Sequence, residues 1–130
     1  MVGIVIVSHS AKVAEGIQEM ASQMAGIGQK IVAAGGLEDG SIGTDAVKIS
    51  AAIVSADSGD GVVVLVDLGS AVLSAETALE LLQEEQRGRV RIADAPVLEG
   101  SIVAAVQAAA GDLLEMVLAA AEDARNLRKH

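Results

Sequence analysis

The chain has 130 residues, 52% of them hydrophobic, with no Phe, Tyr, Trp or Cys and a net charge of -9 from 9 basic and 18 acidic side chains. That length suits one domain over residues 1–130. The missing rings exclude a stacking platform for a base, flavin or sugar, the missing thiols exclude disulfide and zinc–thiolate chemistry, and the acidic balance argues against a nucleic-acid partner.

Residues 2–7 (VGIVIV) form a continuously apolar run rich in Val and Ile, the pattern of a parallel strand buried on both faces. The run is too short and lacks the basic flank of a signal peptide, and no apolar stretch reaches the roughly 18 residues of a membrane span. A cytoplasmic chain with no membrane partner is therefore expected. Val13, Ile17, Met20 and Met24 predict a first helix with Ser10 as its N-cap. Residues 30–34 read as a second strand, and Val47, Ala51 and Val54 as the inner stripe of a second helix capped by Thr44. Residues 57–61 (DSGDG) have the wrong spacing for a calcium loop and read as the turn into a third strand at 62–66.

Val72, Ala75, Leu79 and Leu82 predict a third helix capped by Ser70. In residues 89–93, Val90 and Ile92 alternate with Arg89 and Arg91, which places this fourth strand at a sheet edge. Pro96 follows it, then a helix over about 100–110 and a last one carrying Leu113, Val117, Ala120, Ala124 and Leu127, with Asp112 as cap. Strand–helix alternation implies an α/β fold with parallel strands joined by right-handed crossovers.

Ligands of open α/β sheets sit beyond the carboxyl ends of the strands, at the point where the strand order reverses. If the strand order is 2-1-3-4, strands one and three are neighbours, and His9 and Asp67 then end adjacent strands on the same side. A carboxylate fixes the tautomer of an imidazole and leaves its far nitrogen free to act as a nucleophile. The N–H groups opening the helix after His9, with Ser10, suit an anion. Together they form a candidate acceptor of a phosphoryl group. Thr44 and Ser70 are first of all helix caps, with phosphate contact an added role. There is no GxxxxGK[ST], no GxGxxG after the first strand and no GxSxG, and no Arg precedes Arg87, which argues against nucleotidase, dinucleotide, hydrolase and histidine-phosphatase chemistry. His9 and His130, at opposite ends of the chain, give little support to a metal site, and no cofactor is implied.

Four segments in order, residues 2–10 (VGIVIVSHS), 42–48 (IGTDAVK), 66–82 (VDLGSAVLSAETALELL) and 95–100 (APVLEG), resemble the phosphotransfer subunits of phosphoenolpyruvate-dependent dihydroxyacetone kinases. Those subunits belong to the mannose-type EIIA family of the bacterial phosphotransferase system, and the resemblance implies a three-layer α/β/α fold around a mainly parallel sheet of order 2-1-3-4. The resemblance implies that His9 accepts a phosphoryl group at Nε2 from the carrier HPr and passes it to ADP on a DhaL subunit. The ATP so formed would phosphorylate dihydroxyacetone held by a DhaK subunit. The resemblance also implies Asp67 behind the ring, with Ser10, Gly43, Thr44, Gly69 and Ser70 around the phosphoryl group, and a homodimer. Some family members continue into HPr-like and Enzyme I-like domains; a chain ending at His130 implies separate carriers or a native sequence that runs on. The rival readings are a sugar-transport EIIA component and a regulatory module switched by phosphorylation of His9. A carrier of phosphoryl groups needs no ring-stacking surface, and its docking would rest on small aliphatic and charged contacts.

Overall fold

The computed structural model describes all 130 residues. Four strands, β1 (Gly3–Ser8), β2 (Ile31–Gly35), β3 (Val62–Val66) and β4 (Val90–Ile92), form one parallel sheet in the order β2-β1-β3-β4. Six helices, α1 (Ala11–Ala25), α2 (Ala46–Ala56), α3 (Gly69–Glu80), α4 (Glu84–Arg87), α5 (Val97–Ala109) and α6 (Leu114–Asp123), cover it, and a 3₁₀ turn (Ala124–Asn126) follows. The strand order and layers match the sequence expectation. No helix is long and apolar enough to cross a membrane.

Side chains of a strand alternate between faces, and here they feed two cores. Ile4, Ile6, Val63 and Leu65 pack with α1, α5 and α6 on one face. Val5, Val7, Val62, Val64 and Val66 pack with α2 and α3 on the other. This explains why β1 and β3 contain no polar residue before their ends. Ser8, at the last position of β1, is the first hydroxyl and is fully buried. As expected, β4 lies at the edge; Arg91 reaches Glu115 and Arg89 pairs with Asp57, the residue that ends α2 and turns the chain towards β3.

Several helix details differ from the expectation. In α2 the buried residues are Ile49, Ala52, Ile53 and Ala56, and the stripe of Val47, Ala51 and Val54 faces outward. Both stripes have helical spacing, but burying two Ile side chains is worth about 1.5–3 kcal/mol each, more than the competing Val and Ala. In α1 the sheet takes Ala14, Ile17 and Ala21, and leaves Val13, Met20 and Met24 exposed, because small side chains allow the closest approach. Ser10 caps α1 as expected, accepting from the Val13 N–H. Asp45 rather than Thr44 caps α2, accepting from Val47 and Lys48. Leu68 rather than Ser70 precedes α3, and Leu113 rather than Asp112 precedes α6. Helix α5 starts at Val97, just after Pro96, instead of near residue 100. Helix α4 is a single turn with no periodicity to announce it.

Candidate functional site

The site lies where the strand order reverses, between the carboxyl ends of β1 and β3. Val7 pairs with Val66 in register, so the next residues, Ser8–His9 and Asp67, emerge side by side. His9 Nδ1 lies 3.0 Å from Asp67 Oδ1. The carboxylate also accepts from the His9 backbone N–H at 2.9 Å, Ser8 Oγ at 3.0 Å and the Leu68 N–H at 2.7 Å. Burial pushes the Asp67 carboxyl up, but these hydrogen bonds outweigh it and hold the group below the usual carboxylate range. An ionised Asp67 can only accept, so the network assigns the ring proton to Nδ1. Nε2 then carries the lone pair and accepts from Ser70 Oγ at 2.8 Å.

The dyad is shielded but reachable: the side chains of His9 and Asp67 are 21% and 17% exposed. Two helices begin here. α1 starts two residues after His9 and α3 two residues after Asp67, so the N-termini of both helices adjoin the dyad in the chain. No guanidinium bonds to the dyad. Arg87 and Arg89 bond at the amino ends of the strands or the far end of α3, and Lys48 is committed to the Gly35 carbonyl at 2.9 Å.

Of the residues singled out in the sequence, His9, Asp67 and Ser70 are joined directly. The Gly43 N–H bonds to the His9 carbonyl at 2.9 Å, and φ of 151° places Gly43 in a conformation that disfavours side chains; a Cβ there would also meet Leu37 at 2.9–3.0 Å. Gly43 thus fastens the 37–45 loop against the back of His9. Thr44 Oγ1 is 2.6 Å from Ser74 Oγ, tying that loop to α3 rather than to the imidazole. Ser10 keeps its cap role, and Gly69 is the exposed first residue of α3.

Two serines enter that were not among the expected site residues. Ser8 Oγ donates to Asp67 and accepts from the Ser10 N–H at 3.1 Å, coupling the carboxylate to the start of α1. Its signal in the sequence was a hydroxyl ending an otherwise apolar buried strand. Ser74, the partner of Thr44, sits in a helical stretch of alternating small residues and had no such signal. Together the network offers a fixed imidazole, a nitrogen with a free lone pair, a hydroxyl beside it and two helix N-termini. That arrangement can accept and hold a tetrahedral anion bound through Nε2.

Residues 3–118 match the model of the EIIA-man family, described as PTS system fructose IIA component. A subunit from Listeria innocua, named PEP-dependent dihydroxyacetone kinase 2, phosphoryl donor subunit DhaM, is 44% identical over 118 residues, covering 91% of this chain and 94% of that protein. The corresponding DhaM proteins of Escherichia coli K12 and Klebsiella michiganensis are 49% and 46% identical over 91% and 97% of this chain. The chain spans only about a quarter of the length of those two relatives, 26% and 27%. A crystal structure of a protein of unknown function, EF1359, superposes with a TM-score of 0.85 at 42% identity, covering 95% of both chains.

Proposed function

Since the chain belongs to the EIIA-man family, we propose that it is the phosphoryl donor subunit of a phosphoenolpyruvate-dependent dihydroxyacetone kinase, with His9 as the residue that carries the phosphoryl group. The observation that carries this reading is the His9 ring held at Nδ1 by Asp67, with Nε2 facing the Ser70 hydroxyl. In the loading step Nε2 attacks the phosphorus of the phosphohistidine on HPr. A P–N bond forms at His9 as the P–N bond of the donor breaks, and the HPr imidazole leaves. His9 keeps its Nδ1 proton, so the phosphorylated ring is cationic, and the Asp67 carboxylate beside it offsets that charge. In the discharge step the terminal oxygen of ADP on DhaL attacks the same phosphorus, the P–N bond breaks and Nε2 regains its lone pair. The ATP so formed phosphorylates dihydroxyacetone on DhaK.

Ser70 must give up Nε2 when the phosphoryl group arrives, and its hydroxyl then donates to a phosphoryl oxygen. The Gly69 and Ser70 N–H groups at the start of α3 and the first turn of α1 after Ser10 complete the cradle, with Gly43 and Thr44 holding the loop behind it. Ser70→Ala is expected to slow loading by about 10- to 100-fold, the worth of one hydrogen bond to a charged group, and Ser70→Thr to restore most of it. Stopped-flow transfer from phospho-HPr measures both. The chain acts in the cytoplasm as one phosphotransfer domain over residues 1–130. The unpaired outer edge of β4 supports a homodimer, for which light scattering at micromolar concentration should give twice the chain mass.

The function is tested by discharge. Protein loaded from phosphoenolpyruvate through Enzyme I and HPr should lose its label to DhaL–ADP and not to a sugar-specific EIIB. Discharge to EIIB alone would assign the chain to sugar transport instead. A stable label that neither acceptor removes would point to a regulatory module.

A further inference from the structure

Ser70 and Ser74 stand one turn apart on α3, at the spacing that shares a helix face. Ser70 Oγ meets His9 Nε2 at 2.8 Å, and Ser74 Oγ meets Thr44 Oγ1 at 2.6 Å. A hydroxyl inside a helix commonly turns back to a carbonyl of the preceding turn, as Thr77 does to Leu73 and Ser50 to Val47. Ser74 instead reaches across to Thr44. The segment it meets is otherwise bonded to itself: Leu37 donates to the Ser41 carbonyl, Gly40 to the Leu37 carbonyl and Ser41 to Asp39. Two hydrogen bonds lead out of residues 37–44, from the Gly43 N–H to the His9 carbonyl and from Thr44 to Ser74. A closed circuit results. It runs from the His9 ring to Ser70, along one turn of α3 to Ser74, across to Thr44, and through Gly43 back to the His9 carbonyl.

Resting on the carrier reading above, we propose that Ser74 is a positioning residue for phosphoryl transfer: through Thr44 and Gly43 it fixes α3 against the backbone of His9, and so sets the Ser70 hydroxyl at Nε2. Ser74 itself bonds to neither the imidazole nor Asp67. The reason for such a tie lies in the loading step. Ser70 Oγ makes the one hydrogen bond between α3 and the ring, and that bond is given up as the P–N bond forms. The Ser74–Thr44 bond is made away from the ring and persists in both states. It keeps the Ser70 hydroxyl within reach of the phosphoryl oxygens, where a small misplacement is costly in rate.

The test removes the tie from either end in the whole chain. Ser74→Ala and Thr44→Val are each expected to slow loading of His9 about three- to tenfold, the worth of one neutral hydrogen bond, and together to cost no more than either alone. Ser74→Thr keeps the hydroxyl and should restore most of the rate. The loss should be the same from phospho-HPr and from phosphoramidate, a small anion whose P–N bond breaks with loss of ammonia as the new P–N bond forms at His9. Two readouts set positioning apart from a general role in the fold. In a Ser70→Ala background Ser74→Ala should slow loading no further, and in Ser74→Ala alone the ¹⁵N signal of Nε2 should move towards its position in Ser70→Ala. Wild-type loading in both Ser74→Ala and Thr44→Val would overturn the proposal. Equal slowing with and without the Ser70 hydroxyl would overturn it too, since Ser74 would then act through the fold. Slowing with phospho-HPr alone would also overturn it and make Ser74 a docking residue. If phospho-HPr fails to load the wild-type chain, the carrier reading fails, while phosphoramidate labelling and the Nε2 signal still decide the role of Ser74.

Discussion

Replacing His9 by Ala is expected to abolish phosphoryl uptake, and Asp67→Asn is expected to slow it by about 10²–10⁴-fold, the range found when a positioned proton-holding group is removed. The second effect follows from the tautomer. Asp67 can only accept, so the proton sits on Nδ1 and the lone pair on Nε2. An amide at position 67 can turn its NH₂ towards Nδ1, which moves the proton to Nε2 and blocks the attacking atom. It also offers one accepting oxygen where the carboxylate serves Ser8, the His9 N–H, the His9 ring and the Leu68 N–H. Loading rates from phospho-HPr measure the loss, and ring ¹⁵N shifts report the tautomer.

The same substitution should change behaviour in acid. The folded state holds the Asp67 carboxyl below its unfolded value, because the hydrogen bonds outweigh burial. Its stabilising contribution is therefore complete above the unfolded value and is lost as pH falls through the folded one. Denaturant titrations at falling pH should show a shallower loss of stability in Asp67→Asn than in the wild type.

Gly35→Ala is expected to destabilise the chain by about 1–3 kcal/mol or more, the range for forcing atoms into a packed interior. Gly35 closes β2 opposite Ser8 in register. A Cβ there would lie 2.6 Å from the Ser10 carbonyl oxygen, 2.7 Å from Ala14 Cβ and 2.9 Å from Ala11 Cα. None of these is the end of a flexible side chain, so the start of α1 must move, and Ser10 and His9 move with it. Loading should fall along with stability. Gly16→Ala is the contrast: its Cβ meets nothing within 4 Å on the exposed side of α1, and it should stabilise by about 0.5–1 kcal/mol. Urea denaturation of both separates a packing effect from a generic cost of mutation, and equal midpoints would sink this account of Gly35.

The parts legible in the sequence were those set by burial on two faces and by chain order. Residues 2–7 and 62–66 admit hardly any other structure, and once they are adjacent parallel strands His9 and Asp67 must meet. The orientation of α2 was not legible, because Val47–Ala51–Val54 and Ile49–Ile53–Ala56 are both helical stripes and only packing against the sheet chooses between them. Thr44 and Asp45 are adjacent and equally suited to cap a helix; the choice is made by Ser74, thirty residues away, which takes the Thr44 hydroxyl. Ser70 looked like a cap, but its hydroxyl is drawn into the site by His9 Nε2. Ser8 was hidden by its neighbours, since its role depends on a carboxylate from another strand.

The central claim is that Nε2 of His9 carries the phosphoryl group while Nδ1 stays protonated against Asp67. Phosphorus–nitrogen coupling in ¹⁵N-histidine protein loaded from phospho-HPr reads this directly. One acid-labile phosphoryl group coupled to Nε2 of His9, and absent in His9→Ala, is the predicted result. Coupling to Nδ1, or a label that persists in His9→Ala, would contradict it.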